Sequence, residues 1–353
     1  MRLWRYVLRR ILLMVPTLLG ILLVSFLVIQ FVPGGPIEQL SQELKAQSGG
    51  ESSGGALGMY RAQSGLSAEK LTELKALYGF DKPASTRFFD MVSSYLRFDL
   101  GQSFYHHQSV WDLVVSKLPV SMSLGLWTFL ITYLISIPLG ILKAVRDGSS
   151  FDVMSSFLIL IGYAIPSFVL GLALLVLFGG GSFWQVFPLR GLVSDNWAEL
   201  SFLSKVTDYL WHIFLPVTAS VVGNLAIMTF LTKHTFLEQI RSQYVLTARA
   251  KGLSEKKILY KHIFRNAMIP LVTGFPAAFV GAFFTGSLLI ETLFSLDGLG
   301  LLSYTSVIRR DYPVVMGTLY LFTLIGLLTR LFSDLCYVWV DPRLQFDSVG
   351  EGR

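Results

Sequence analysis

The sequence predicts an all-α membrane protein with six transmembrane helices, and two observations carry that prediction. Of the 353 residues, 53% are hydrophobic and only 15% are charged, whereas soluble domains carry about 25% charged residues. Six apolar runs are also close to the length of about 20 residues that a helix needs to cross the hydrocarbon core. These runs lie at 11–32, 120–142, 153–178, 213–231, 269–289 and 314–340.

The first run follows a cluster of positive charges, Arg2, Arg5, Arg9 and Arg10, as the apolar part of a signal peptide would. The run is long enough to span the membrane, and no cleavage site of small residues follows it. The sequence therefore predicts a first helix that is retained.

The distribution of Lys and Arg predicts the orientation. An even number of spans places both termini on one side. The N-terminus, the loops 143–152 and 232–268 and the C-terminus hold sixteen Lys and Arg residues, whereas the loops 179–212 and 290–313 hold four. Positive residues in short loops stay in the cytoplasm, and the long loop 33–119 is left out because long segments cross largely regardless of charge. We expect both termini to be cytoplasmic.

This orientation divides the chain into four regions. Residues 1–32 form the N-terminus and first span, 33–119 an external insertion, 120–340 a five-helix core containing the cytoplasmic loop 233–268, and 341–353 a cytoplasmic tail. The insertion begins with a Gly/Ser-rich stretch at 47–65, which is expected to be flexible. Three short helices should follow, one capped by Ser67 and ending near Gly79, one from Pro83 to about Phe98, and one capped by Ser109 that ends before Pro119.

Five of the spans contain helix breakers: Pro16, Pro138 and Gly140, Gly162 and Pro166, Pro216 and Gly223, and Pro276 and Gly281. Small residues allow close helix packing, and kinks can instead open a cavity for a substrate. Packing is the simpler interpretation. The candidate residues for a translocation pathway are Tyr163, Pro166, Ser167, Asn224, Thr285 and Glu291. Glu291 could line the entrance, or it could be a solvated residue at the membrane boundary.

Two charges, Arg330 and Asp334, lie within the sixth span. Their four-residue spacing places them on one face of the helix, and charges inside the membrane are candidates for function. Because both lie toward the cytoplasmic half, a structural ion pair facing the helix bundle is an equally good interpretation. We expect that pair to form.

The cytoplasmic segment 244–270 predicts two short helices around Gly252. The first should end with Gly252 in the left-handed conformation, and the second should start with Ser254 as N-cap, with Leu253 and Ile258 packed across that cap. Each helix has an apolar and a basic side. Such a pair can lie on anionic membrane lipid or dock into a cytoplasmic protein, and physical reasoning alone leaves these two partners equal.

This segment resembles the coupling loop of ATP-binding-cassette importer permeases, in which two alanines are followed after three residues by glycine. Ala248 and Gly252 match that signature, whereas Thr247, Leu246 and Arg265 replace its first alanine, its glutamate and its later proline. The strings ARAKGL and RNAMIP that accompany these departures resemble the dipeptide/oligopeptide branch.

The resemblance extends over nearly the whole chain, in the strings RRILLMVPTL, FVPGGP, YGFDKP, RFDLGQS, LPVSMSLGLW, IGYAIPSF and RRDYPVVMG. Within that branch, FFTGSLLIETLFSLDGLG, FPLRGLVS and the Gly/Ser-rich insertion are similar to the Yej-type subgroup. Asp297, where most oligopeptide permeases have proline, agrees with that subgroup. The resemblance implies a bacterial inner-membrane permease that pairs with a second permease, a cytoplasmic ATPase and a periplasmic peptide-binding protein. It also implies the import of peptides and of the peptide-nucleotide antibiotic microcin C.

The resemblance assigns ATPase coupling to Tyr244, Ala248, Arg249, Ala250, Lys251, Gly252, Leu253, Ser254 and Ile258. The apolar side of the helix pair is expected to fit a cleft on the ATPase. That side includes Ala248, Leu253 and Ile258, while Arg249 and Lys251 should pair at the rim.

Other functions find little support in the sequence. No G-x-x-x-x-G-K-[ST] phosphate loop and no H-E-x-x-H motif occur, so the chain is not expected to be an enzyme, and ATP and magnesium should belong to the partner ATPase. No cofactor, metal site or nucleic-acid partner is expected in this chain, because the basic residues are spread between apolar runs and there is a single cysteine, Cys336. The alternative function is a gated channel that works without ATP.

Overall fold

The computed structural model describes residues 2–31, 82–180, 183–284 and 286–340. The predicted helix at 67–79, the Gly/Ser-rich stretch, Thr285 and the tail 341–353 lie outside these residues. Within them the chain is helical, with a three-residue 3₁₀ turn at Trp197–Glu199. The helices are α1 (Arg2–Phe31), α2 (Ala84–Tyr95), α3 (Val110–Val145), α4 (Ser150–Ala164), α5 (Ser167–Phe178), α6 (Phe202–Ile240), α7 (Gln243–Ala250), α8 (Glu255–Lys257), α9 (Phe264–Ala267), α10 (Ile269–Phe284), α11 (Leu288–Leu293), α12 (Leu299–Ile308) and α13 (Tyr312–Val340).

Five of the six predicted spans are confirmed, and the sixth, 153–178, corresponds to a pair of apolar helices with a sharp bend between them. Five helical stretches in the described part of the chain are long and apolar enough to cross a membrane, and the pair α4 and α5 makes a sixth if it counts as one span. The other five lie at Trp4–Phe31, Val110–Val145, Phe202–Ile240, Ile269–Leu293 and Tyr312–Cys336. In the first, only 6% of the apolar window is buried in the protein, as expected for a helix that faces lipid.

The third span bends by 90° between α4 and α5. The break lies at Pro166, whose ring disfavours helical backbone in the residue before it. Ile165 accordingly has φ −87° and ψ 118°, which is extended backbone. Ser149 caps the start of α4, since its side chain accepts a hydrogen bond from the backbone N–H of Asp152.

The second span begins earlier than predicted. Ser109 caps its helix as expected, because its hydroxyl accepts from the backbone N–H of Asp112 at 3.0 Å. That helix does not end before Pro119, however, but continues to Val145. A proline inside a helix removes one backbone hydrogen bond, and membrane helices tolerate this loss. The predicted boundary at 119/120 therefore falls inside α3. The neighbouring prediction for Pro83 is close, since α2 follows this residue and ends at Tyr95.

The chain divides into two compact units. The first comprises Met1–Arg10, Lys117–Leu301 and Ile325–Arg353, and the second comprises Ile11–Ser116 and Leu302–Leu324. The second unit contains a buried carboxylate, Asp311, which accepts hydrogen bonds from the hydroxyl of Ser103 and from the backbone N–H of Phe104. The rings of Tyr95 and Tyr320 also pack there at 5.0 Å between centroids.

The first unit contains the core that positions the candidate sites. Close helix approach depends on glycine at Gly140, where a Cβ would lie 2.6 Å from the Cβ of Thr232 and 2.8 Å from the carbonyl oxygen of Thr229. The backbones of α3 and α6 are therefore in near contact, as the packing interpretation of the helix breakers predicts. The cavity interpretation holds at other positions, since Gly223 and Gly281 line a cavity.

Candidate functional site

The segment 243–267 forms two helical pieces joined by a tight turn at Gly252, as predicted, and is called the coupling loop below. α7 ends in a glycine cap: Gly252 has φ +76°, its N–H donates to the carbonyl of Arg249, and the N–H of Leu253 donates to the carbonyl of Ala248. This is the hydrogen-bond pattern of a Schellman cap. The second piece starts as α8 and continues through a π-helical stretch, Ile258–Ile263, into α9.

An ion pair spans this turn. Arg249 donates from Nε to Oε1 of Glu255 at 2.7 Å and from one terminal nitrogen to Oε2 at 3.1 Å. This pairing raises the pKa of Arg249 and lowers the pKa of Glu255. Ser254 occupies the predicted N-cap position with extended backbone, although its side chain makes no capping hydrogen bond. The neighbouring Glu255 is held instead by the contact with Arg249.

The apolar side of the coupling loop faces the protein itself. Val245, Ala248, Ile258 and Ile263 are buried in one cluster with Ala144, Phe236 and Ala267, and Leu253 packs against that cluster. Ala248 and Ile258 are therefore not at a surface where a partner's cleft could receive them. Arg249 pairs with Glu255 of the same chain, whereas the sequence predicts that it pairs at the rim of a cleft on the ATPase. The apolar contacts fasten the loop to the ends of α3 and α6.

The exposed side of the loop is formed by other residues. Leu246 is 52% exposed and Tyr260 is 63% exposed. The side chains of Ala250, Lys251, Lys256, Lys257 and Lys261 are also exposed. Tyr244 is half-buried and donates its hydroxyl hydrogen to Oε1 of Gln239 at 3.0 Å. A partner that meets this loop would therefore contact an apolar residue on α7 and a basic, tyrosine-containing face on the following segment.

A cavity of about 870 Å³ lies within the first unit, between α3, the α4–α5 break, α6, α10 and α11. Its lining includes five of the six predicted pathway residues, Tyr163, Pro166, Ser167, Asn224 and Glu291. The sixth, Thr285, lies outside the described residues. Hydroxyl groups of Ser, Thr and Tyr dominate the polar part of the wall. Among the described lining residues, Glu291 carries the one carboxylate.

Glu291 is fully buried, so its interpretation as a solvated boundary residue is wrong. Its carboxylate accepts from the backbone N–H of Leu301 at 2.7 Å, of Ser287 at 3.2 Å and of Gly300 at 3.4 Å, and from the hydroxyl of Ser121 at 3.4 Å. Two of these N–H groups belong to the first turn of α12, where a negative charge is favourable. Glu291 thus fixes the segment 286–301 at the edge of the cavity.

The predicted pair of Arg330 with Asp334 does not form in the described structure. Asp334 instead lies 3.0 Å from the guanidinium of Arg10 and accepts from the hydroxyl of Tyr6 at 3.0 Å. Arg330 is exposed. The partners of Asp334 are thus the guanidinium of Arg10 and the hydroxyl of Tyr6, both on α1.

A second charged cluster was not expected from the sequence. Lys143, predicted in a loop, is fully buried at the end of α3, and its ammonium donates to the carbonyl of Asp152 and to the hydroxyls of Ser155 and Ser156 at 2.7–2.8 Å. It also lies 3.0 Å from the Asp152 carboxylate, whose other oxygen accepts from Lys233 at 2.7 Å. Lys143 and Asp152 are the two ends of the predicted loop 143–152, and nothing in that loop indicates their burial.

These features define a multi-pass helical membrane protein with an exposed loop held on a buried apolar cluster, and with a cavity whose mainly apolar wall carries hydroxyl groups and a carboxylate. Residues 136–346 match the family described as the binding-protein-dependent transport system inner membrane component. The chain is 55% identical to the peptidoglycan transport system permease protein YejB of Agrobacterium fabrum, over 97% of this chain and 98% of that protein. It is 52% identical to the inner membrane ABC transporter permease protein YejB of Escherichia coli O157:H7, over 97% and 99%.

A more distant relative agrees. The dipeptide transport system permease protein DppB of Escherichia coli K12 is 31% identical over 97% of this chain and 98% of its own length. A solved chain of the MetNI methionine ABC transporter in an inward-facing conformation aligns with 65% of this chain and 96% of its own length, at 18% identity and a TM-score of 0.48. The chain belongs to the binding-protein-dependent transport system inner membrane component family. It is a permease subunit of the inner membrane.

Proposed function

We propose that this chain forms one half of the translocation pathway of an ATP-driven importer for oligopeptides or peptide-like compounds. A second permease supplies the other half, a periplasmic peptide-binding protein delivers the cargo, and a separate cytoplasmic ATPase binds ATP and magnesium. The observation that supports this most strongly is the identity of 52–55% with two YejB permeases along nearly the whole chain.

The names of the relatives suggest the cargo class. One YejB is named for peptidoglycan transport and DppB for dipeptide transport, and peptide bonds are common to both cargos. A peptide-nucleotide such as microcin C falls in the same class. The cavity wall suits such compounds, because its hydroxyls at Ser167 and Ser220 and the amide of Asn224 can exchange hydrogen bonds with a peptide backbone.

In this proposal the coupling loop receives the movement of the ATPase. The clamp of Arg249 on Glu255 and the buried cluster beneath it make the loop stiff enough to transmit force. The contact surface is the exposed side, with Leu246 on α7 and Tyr260 beyond the turn. Moving a two-state transporter from 1:99 to 99:1 requires about 5.5 kcal/mol of differential interaction, which a flexible loop would not deliver.

The orientation belongs to the same proposal, with both termini and the coupling loop in the cytoplasm and 33–119 in the periplasm. Single cysteines at Ser53 and Ser254, in a Cys336→Ser background, test it with an impermeant thiol reagent on spheroplasts. Ser53→Cys should be labelled and Ser254→Cys protected. The reverse pattern overturns the orientation.

The complete complex, reconstituted in liposomes with its own binding protein, tests the transport function. We expect uptake of radiolabelled tripeptide that requires ATP and stops when the partner ATPase carries an inactivating substitution in its phosphate loop. Uptake that persists with the inactive ATPase would indicate the alternative, a gated channel. Absence of uptake for peptides of every length, with normal ATP hydrolysis, would refute the cargo class.

A further inference from the structure

The buried cluster around Lys143 lies between the two candidate sites. Lys143 is at the end of α3, and the adjacent Ala144 belongs to the apolar cluster that holds the coupling loop. Its ammonium holds the first turns of α4 through Asp152, Ser155 and Ser156. The last turn of α4 carries Tyr163, which lines the cavity.

The cluster also ties α4 to α6. Lys233 of α6 bridges Asp152 at 2.7 Å and Asp147 at 2.9 Å, and Arg241, at the C-cap of α6, lies 3.2 Å from Asp147. The coupling loop begins two residues after Arg241. The three helices that meet at this junction, α3, α4 and α6, all line the cavity further along their length, and the ends of α3 and α6 also hold the coupling loop.

A buried lysine at this position is difficult to explain by stability alone. Removing an ammonium from water is unfavourable, and well-packed apolar residues often replace buried ion pairs without loss of stability. The ammonium instead fixes the orientation of α4 relative to the end of α3, since three hydrogen bonds at 2.7–2.8 Å and one ion pair join it to α4. An apolar side chain of similar length would fill the space but would let α4 rotate or slide.

We propose that Lys143 is a positioning residue that makes α4 follow the movement of the coupling loop, so that nucleotide binding at the ATPase reaches the cavity at the α4–α5 break. α4 has 15 residues and is thus about 22 Å long, which makes it the lever between the two ends. The inference rests on the proposed function, because it assumes that an ATPase acts on the loop.

The structure indicates a variant that should still fold. In Lys143→Met the carboxylate of Asp152 keeps Lys233 and the backbone N–H of Gly148 as partners, so no buried charge is left alone. Lys143→Arg retains the charge. Arg146→Met is the matched control, since it removes a cation three residues further along from an exposed position.

Two readouts on the complete complex separate coupling from folding. The first is the amount of peptide imported per ATP hydrolysed in liposomes. We expect Lys143→Met to lower this ratio at least tenfold, with basal ATP hydrolysis and melting temperature equal to those of Arg146→Met, and Lys143→Arg to restore part of it. An unchanged ratio, or one that falls only in proportion to the folded fraction, overturns the proposal.

The second readout does not depend on the cargo. A cysteine at Ser167, in a Cys336→Ser background, reports thiol labelling in the cavity with and without ATP and vanadate. The rate should change severalfold with nucleotide in the parent protein and stay constant in Lys143→Met. If peptide uptake fails but this change appears, only the proposed cargo is wrong. If the parent shows no change, movement does not reach the α4–α5 break and the role of Lys143 is refuted.

Discussion

Replacing Glu291 tests whether its carboxylate holds the edge of the cavity. The side chain is fully buried and accepts two well-formed hydrogen bonds, from the backbone N–H of Leu301 at 2.7 Å and of Ser287 at 3.2 Å. Two longer contacts, with Gly300 and Ser121, add little at 3.4 Å. Glu291→Ala removes all four acceptor contacts, whereas Glu291→Gln keeps the shape and one acceptor oxygen.

The size of the effect follows from these contacts. A hydrogen bond to a charged group contributes about 1.5–3 kcal/mol, so the two short bonds together contribute about 3–6 kcal/mol. The loss of the negative charge at the start of α12 adds roughly 0.3–1 kcal/mol. Glu291→Gln should destabilise the protein by about half as much as Glu291→Ala, because one N–H still finds an acceptor.

Thermal denaturation of the detergent-purified complex, followed by size-exclusion chromatography, measures this difference. For a chain of 353 residues, whose unfolding entropy is about 0.7 kcal/mol/K, a loss of about 1.5–3 kcal/mol lowers the melting temperature of Glu291→Gln by about 2–4 °C. Glu238→Gln is the control, since Glu238 is an exposed glutamate in α6 and its substitution should leave the melting temperature unchanged.

A steric variant tests the same site without altering charge. A Cβ at Gly298 would lie 2.6 Å from the carboxylate carbon of Glu291, whereas a Cβ at Gly274 has no neighbour within 4 Å. Gly298→Ala should therefore be destabilised and Gly274→Ala should not. If Glu291→Ala melted at the temperature of the parent protein, the carboxylate would not be holding this segment and the reasoning would be refuted.

Three further predictions concern the coupling loop and the first helix. Gly252→Val should abolish peptide uptake while membrane insertion stays normal. The space around Gly252 is open, but its φ of +76° costs about 1–2 kcal/mol in a residue with a Cβ. If this variant imported peptide at the parent rate and still bound the ATPase, lipid binding would be the role of the loop. The contact with Arg249 lowers the pKa of Glu255, so the clamp contributes at neutral pH and is lost as the pH falls through that lowered pKa. The protection factors of the amides at residues 249–255 should then fall only in acid, whereas Glu255→Gln should show low protection already at neutral pH. Equal protection in both proteins at neutral pH would contradict this. Arg10→Ala should weaken the part-exposed contact with Asp334 and destabilise the protein by up to about 1 kcal/mol, whereas Arg330→Ala should not destabilise it. A larger effect of Arg330→Ala in thermal denaturation would favour the pair of Arg330 with Asp334 that the sequence predicted.

Features set by local sequence were predicted well. The apolar runs located five spans and the bent pair α4 and α5. Ser109 and Gly252 were recognised as caps because the capping side chain or backbone conformation lies within a few residues of the helix end. The bend at Pro166 follows from the same local chemistry. The predicted helix end before Pro119 was wrong, because a proline can end a helix or be tolerated inside one. Which of the two occurs depends on the surroundings of the proline.

Features set by contacts between distant segments were not predicted. The partner of Asp334 is more than 320 residues away at Arg10, and no pattern in the sixth span indicates it. The burial of Glu291 depends on N–H groups supplied by the start of α12. Ala248 and Ile258 face inward because they pack with Phe236 and Ala144. An amphipathic pattern predicts that a helix has an apolar side, but it does not predict which residues contact that side.

Two buried charges of the first unit, Glu291 and Lys143, each bind the start of a helix. Glu291 binds the first turn of α12 beside the cavity, and Lys143 binds the first turns of α4 beneath the coupling loop. Each makes directed hydrogen bonds to backbone or side-chain groups at that helix start. Apolar packing cannot provide such bonds, because it has no preferred direction. A transporter needs helices that move as rigid pieces between two arrangements. Buried charges at helix starts meet that need, since they fix the orientation of one end while the rest of the helix remains in apolar surroundings where it can slide.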